Sequence, residues 1–213
     1  MKDRKETGEI IRILSETYSG AKCGLNFSSP FELLVATILS AQCTDERVNK
    51  VTEKLFREAN TPSEFLEMGE EKLNGYIKSC GLANTKASNI MKTCYTLCEK
   101  YGEEVPRTME ELTALNGVGR KTANVVMSNA YGIPAIAVDT HVKRVSNRLG
   151  LASSDDVNKV EMQLRDAIDE KYWSDAHHWL IWHGRKICSA RKPKCEICPL
   201  ASECDFLNNS PEK

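Results

Sequence analysis

An all-α fold is the class this sequence predicts, on three observations. Apolar residues recur at helical spacing in stretch after stretch, beginning with Ile10, Ile11, Leu14 and Tyr18. Ser or Thr stands three positions ahead of Glu or Gln-like acceptors where several of these stretches begin, as in Ser29 with Glu32, the pattern of a capping box. Strand-like alternation is nearly absent. At 213 residues the chain can bury a proper core, as one domain or two small ones.

The elements follow in order. Ser29 and Glu32, with Pro30 at the first helical position, open an apolar helix through Leu33, Leu34, Val35, Ile38 and Leu39. Asp45 and Glu46 start the next, whose stripe is Val48, Val51, Leu55 and Phe56. Thr61 and Glu64 repeat the box ahead of a short helix, and another is expected to end at Gly81 as a left-handed cap. Ile90, Cys94, Leu97 and Tyr101 line a helix closed by Gly102, and Thr108 with Glu111 caps the one after it. The next helix runs to about Gly132, and Asp139 stands where a cap precedes Val142, Val145 and Leu149. Further stripes fall at Val157, Val160, Leu164 and Ile168, and at Ala176, Trp179, Leu180 and Trp182. Roughly ten helices result, with no low-complexity linker and no repeat.

A net charge of −1 hides a local bias. From Leu115 to Gly150 the charged residues are Arg120, Lys121, Lys143, Arg144 and Arg148 against one acid, Asp139. Gly184 to Cys195 carries Arg185, Lys186, Arg191, Lys192 and Lys194 with no acid. Such segregation permits a face that binds a polyanion, although on charge alone two ordinary solvated faces are the slightly better reading. The start, MKDRKETGEI, has no apolar leader core, and no stretch reaches the apolar length a bilayer demands, so the chain is expected to be soluble and unexported. Nine cysteines in such a chain argue against a disulfide framework and point some of them toward metal.

Cys188, Cys195, Cys198 and Cys204 are the candidates, interleaved with Pro193 and Pro199 in a polar loop where a packed helix has no use for them. Four thiolates brought together repel unless a cation compensates them. Zinc sites usually offer two tight pairs and this loop has one, which leans toward an iron–sulfur centre and leaves the metal open. Cys23, Cys43, Cys80, Cys94 and Cys98 are scattered and read as core filler.

The second feature is LNGVGRKTANVV at 115–126. A capped helix, a glycine-framed turn and a second helix make a helix–hairpin–helix unit, in which Gly117 and Gly119 let backbone N–H groups approach a phosphate without reading sequence. The competing reading is a corner whose glycines only relieve sterics. Lys121, just past the turn, is either a phosphate anchor or a reagent.

LNGVGRKTANVV, followed by AVDTHVKRVSNRLG at 137–150 and closed by the cysteine loop, resembles the endonuclease III family of DNA glycosylase/AP lyases. The resemblance takes in LSAQCTD at 39–45 and HHWLIWHGR at 177–185, and so nearly the whole chain. One departure is Asn116, where the family's hairpin usually has proline before its first glycine.

The resemblance implies a six-helix barrel over about 23–133, with residues 1–22 returning to join 134–213 around a [4Fe–4S] cluster on the four cysteines, and with DNA in the cleft between. It implies a bifunctional enzyme of base excision repair, removing oxidised pyrimidines and cutting 3′ to abasic sites in double-stranded DNA. It would work as a monomer in a prokaryotic cytoplasm, at the nucleoid, with no membrane partner. Lys121 is implied as nucleophile and Asp139 as its catalytic partner. Gln42 and Leu82 would fill the vacancy left by the extruded base; Gly117, Val118, Gly119 and Arg120 would grip the backbone; and Arg191, Lys192 and Lys194 would meet it from the cluster loop. Relatives that excise mismatched adenine lack lysine at the position of Lys121.

The chemistry stands on its own. An amine can displace a base at the sugar C1′ and become a Schiff base, which acidifies the C2′ proton and permits β-elimination of the 3′ phosphate; a hydroxyl cannot. Free lysine is protonated at neutral pH, so the site must lower its pKa by desolvation or nearby cations, or relieve it of a proton. Asp139 is suited to accept that proton, to stabilise positive charge on the sugar, or merely to cap its helix. His141 reads as incidental, and Trp179 and Trp182 as packing beside the cluster.

Overall fold

A computed structural model of the chain describes residues 1–208, and among these there is no strand. They form twelve α-helices and three short 3-10 turns, against the roughly ten helices expected; the four-residue helix after the last cysteine is one that no apolar stripe announces. The chain divides into two compact units, Cys23–Gly132 and the pairing of Met1–Lys22 with the residues from Ile133 on.

Helix α1 (Arg4–Thr17) begins at Asp3, whose side chain accepts from the Glu6 amide while the Glu6 carboxylate accepts from the Asp3 amide. Ile10, Ile11 and Leu14 form its buried face.

The first unit starts with α2 (Pro30–Leu39), buried from Phe31 to Leu39. Its expected capping box is half formed. Ser29 Oγ accepts from the Glu32 amide, but the Glu32 carboxylate accepts from the amide and hydroxyl of Ser28 instead, which satisfies a buried charge one residue further out. Next come α3 (Asp45–Glu58), capped by Thr44, and α4 (Pro62–Met68), which has the complete Thr61–Glu64 box. Helix α5 (Glu70–Ile77) tightens into a 3-10 turn at Lys78–Cys80. Gly81 does not end it as a left-handed helical cap. It sits at φ 70°, ψ 153°, and the left-handed position falls to Leu82 at φ 50°, ψ 34°. Helix α6 (Ala83–Tyr101) ends at Gly102 in the expected left-handed cap, the short α7 (Met109–Thr113) follows, and α8 (Arg120–Tyr131) ends at Gly132. Leu33, Leu34, Leu39, Leu55, Phe65, Leu73, Ile77, Ile90, Leu97 and Leu112 are fully buried in one cluster, and Phe31 meets Phe65 edge to face with centroids 5.2 Å apart. Each such side chain contributes about 1.5–3 kcal/mol of transfer free energy.

The second unit adds to α1 the helices α9 (Thr140–Leu149), α10 (Val157–Ala167), α11 (Trp173–Lys186) and α12 (Asp205–Asn208). Val160, Leu164 and Ile168 are buried as the spacing predicts; Val157, on the first turn of α10, is exposed. Trp179 lies in the core with Ile10, Leu14, Val142 and Val145, while Trp182 is half-buried under the Lys186 ammonium. No helix of the described residues is long and apolar enough to cross a membrane.

Candidate functional site

The hairpin joins α7 to α8 in the first unit. Gly117 has φ 75°, and a Cβ there would lie 2.9 Å from Cβ of Asn89, so this turn requires glycine on both grounds. Asn116, in the place of the usual proline, is held by its carbonyl, which accepts from Thr93 Oγ1 at 2.9 Å. The Val118 side chain points into the core and its amide donates to the Leu115 carbonyl, so it anchors the turn from inside. Gly119 is different. It is extended (φ −90°, ψ 174°), a Cβ there would meet nothing, and it starts α8 with no side chain capping the helix. Neither backbone angle nor a protein contact requires glycine here, and the space a side chain would fill is open. The first amides of α8 have no acceptor within the helix, and Lys121, its second residue, is exposed.

These two glycines are expected to separate on mutation. Gly117→Ala destabilises the protein by about 1–2 kcal/mol from the left-handed backbone alone, with the Asn89 contact adding to it, as thermal unfolding will read. Gly119→Ala shifts stability by no more than about 1 kcal/mol and weakens affinity for DNA about ten-fold, or about 1.4 kcal/mol, in a binding titration.

Gln42 and Leu82 lie on separate loops of the same unit, and both are exposed. Three non-glycine residues among those described have positive φ: Gln42 at 56°, Leu82 at 50° and Glu103 at 68°. A leucine held this way costs about 1–2 kcal/mol, and its side chain is left 58 % exposed. A backbone position of that kind persists only where its surroundings over-determine it.

In the second unit, Asp139 is the N-cap of α9. Its Oδ1 accepts from the amides of both His141 and Val142 at 2.8 Å. Both capping bonds end on one oxygen, and Oδ2 receives none among the described residues. His141 is not idle, since its Nδ1 lies 3.2 Å from Arg144 Nη2.

The four C-terminal cysteines of the proposed centre line one pocket together with Arg148, Leu149, His183 and Phe206. Among the described residues no three His, Cys, Asp or Glu side chains close on a single-ion site. Four cysteines lining one cavity can supply the four thiolates that hold an iron–sulfur cluster. The surroundings act on the thiols in opposite directions. Burial pushes the Cys198 and Cys204 thiols up, while amide hydrogen bonds from Leu200 to Cys198 and from Leu207 and Phe206 to Cys204 work against it. Arg148 Nη1 lies 3.3 Å from Cys188 Sγ. His183 Nε2 is 3.6 Å from Cys198 Sγ, with the other ring nitrogen 3.0 Å from the Tyr18 hydroxyl. Burial pushes the His183 pKa down to about 4, so the ring is neutral near pH 7.

Arg144 and Arg148 depart from the charge reading that counted them toward a polyanion face. Arg144 donates to the Cys188 and Gly184 carbonyls, and Arg148 to those of Ser189 and Ala190. They brace the loop from beneath. The cations left exposed on it are Arg191, Lys192 and Lys194. Replacing all three with alanine is expected to lower the slope of log affinity for DNA against log salt by roughly 2 to 3, with lesion preference unchanged.

Residues 35–170 match the profile of the HhH-GPD superfamily of base excision DNA repair proteins, and residues 188–204 match the iron–sulfur binding domain of endonuclease III. The chain is 52 % identical to endonuclease III of Haemophilus influenzae over 93 % of its length and 94 % of the relative's. It is 51 % identical to that of Escherichia coli K12 over the same shares, and 50 % identical to that of Bacillus subtilis over 90 % and 88 %. Its fold matches a solved chain described as a non-covalent endonuclease III–DNA complex at a TM-score of 0.92, with 47 % identity over 98 % of both chains. A trapped endonuclease III–DNA covalent intermediate matches at 0.93, with 47 % identity over 98 % and 99 %. With glycine-framed hairpin, capped aspartate and cysteine loop all falling inside these matches, the chain belongs to the endonuclease III family of the HhH-GPD superfamily.

Proposed function

We propose that the protein is a bifunctional DNA glycosylase and abasic-site lyase of base excision repair, which removes oxidised pyrimidines from double-stranded DNA and cleaves on the 3′ side of the vacated sugar. The observation that carries this reading is Lys121, an exposed amine on the second residue of α8, directly after a helix start that no side chain caps. Amides at that start suit a DNA phosphate, which would fix the lysine against one sugar.

The amine must first give up a proton. Nζ then forms a bond to C1′ as the bond from C1′ to the base breaks, and the base leaves with the electron pair and takes up a proton. Opening of the sugar ring gives the iminium. Loss of a proton from C2′ and departure of the 3′ phosphate oxygen from C3′ complete β-elimination, and water hydrolyses the imine to free the lysine. Asp139 supplies the carboxylate. With Oδ1 fixed by two amides, Oδ2 remains to accept the amine's proton or to stabilise positive charge on the sugar, and either use needs the negative charge.

We assign Gln42 and Leu82 to the space an extruded base leaves, since both are exposed and held in unusual backbone positions. We assign the [4Fe–4S] cluster to Cys188, Cys195, Cys198 and Cys204. The cluster's chemistry here is structural: it holds the loop whose Arg191, Lys192 and Lys194 neutralise phosphates. The enzyme acts as a monomer on double-stranded DNA at the nucleoid of a prokaryotic cell, and the bacterial origin of its relatives supports the prokaryotic setting.

The test is a panel of duplexes, each with one lesion, scored separately for base release and strand cleavage. Release of oxidised pyrimidines with coupled cleavage is the expected result. Binding without either product would leave a DNA-binding module, and release without cleavage a monofunctional glycosylase.

A further inference from the structure

Lys86 plays no part in the account so far, and it is an unusual residue. It sits near the start of α6 and is 4 % exposed. A lysine ammonium has three donors, and desolvating it costs several kcal/mol unless they are satisfied. Here Nζ donates to the carbonyls of Leu39 at 2.8 Å, Ala41 at 2.7 Å and Cys80 at 2.8 Å. All three bonds go to backbone, and they come from segments 47, 45 and 6 residues away in sequence.

The position of those carbonyls gives the bonds their meaning. Leu39 ends α2 and Ala41 directly precedes Gln42. Cys80 ends the 3-10 turn, two residues before Leu82. One ammonium thus pins the stems of the loops that carry Gln42 and Leu82, two of the three left-handed non-glycine residues among those described. The Lys86 amide also donates to the Leu82 carbonyl at 2.9 Å. Carbonyls at the C-terminal ends of helices favour a cation, but filling this space would need only leucine or methionine. A buried lysine adds a tie between two distant segments, and strained backbone persists only where its surroundings over-determine it.

We propose that Lys86 is a positioning residue for base extrusion, its buried ammonium locking the Gln42 and Leu82 loops into one rigid wedge. This rests on the reading of Gln42 and Leu82 as the side chains that fill the vacated stack. A wedge works by being stiff before it meets the duplex. Stems free to move by an ångström lose much of that advantage, and single-stranded DNA, with no stack to fill, does not need it.

The readout is therefore the ratio of cleavage rates at an abasic site in duplex and in single-stranded DNA, a ratio that general loss of folded protein leaves unchanged. It is measured for the native protein, for Lys86→Met, for Lys86→Arg and for the double variant Gln42→Ala with Leu82→Ala, all well below each protein's melting temperature. Lys86→Met keeps the length and removes the donors. Lys86→Arg keeps the charge, but its planar fork cannot converge on three carbonyls, and it carries the test if the methionine variant does not fold. The ratio is expected to fall roughly ten- to a hundred-fold in the Lys86 variants, with a fall in the double variant as well. A fall in the double variant alone, with the Lys86 variants at the native ratio, overturns the proposal and spares the wedge. A native ratio in the double variant overturns the wedge reading and the proposal with it.

Discussion

Replacing Lys121 with alanine is expected to abolish borohydride-trapped adducts on abasic duplex DNA and to slow strand cleavage at least about a thousand-fold, roughly 4 kcal/mol of transition-state stabilisation. The size follows from the chemistry. No other group replaces a primary amine in forming an imine at C1′, and without the imine the C2′ proton is not acidified. Stability should barely move, because the side chain is exposed and α8 keeps its start at Gly119. Affinity for abasic DNA should fall far less than the rate, since the phosphate grip lies in backbone amides that the substitution leaves intact. Equal losses in binding and rate would instead identify Lys121 as a phosphate anchor.

Asp139→Asn carries the second large effect, and it separates two roles for one side chain. Asparagine caps a helix about as well as aspartate, and its amide oxygen can take the bonds that Oδ1 now accepts from His141 and Val142. The melting temperature should therefore stay within the equivalent of about 0.5 kcal/mol. Base release, which needs the charge, should fall by about 10²–10⁴-fold. A residue that only caps would show neither loss, and Asp139→Ala would then cost stability, about 1 kcal/mol, without a specific cost in rate.

What was legible in the sequence is what local chemistry dictates. Gly102 closes its helix, Thr61 and Glu64 form their box, and Asp139 caps α9, each because a short pattern of residues has one good local solution. The hairpin was legible for the same reason, although what requires glycine at 117 is its left-handed backbone and the Asn89 side chain beside it. The misses all involve partners far away in the chain or a backbone state that propensity disfavours. Nothing in the sequence says that the left-handed position belongs to Leu82 and not Gly81, because the neighbouring fold imposes it. Lys86 reads as one more surface charge until three carbonyls are found around it. Arg144 and Arg148 count toward a basic face by composition, yet their donors turn to the loop 40 or more residues on. The HHWLIWHGR stretch drew notice as a motif, but the place of His183 between Tyr18 and Cys198 required the fold.

The most direct measurement is mass spectrometry on the native protein reduced with borohydride in the presence of abasic duplex DNA, digested so that the nucleotide remnant marks one peptide. The remnant should appear on Lys121 alone. Its appearance on another amine, such as the N-terminus or Lys143, with Lys121 unmodified, would contradict the account.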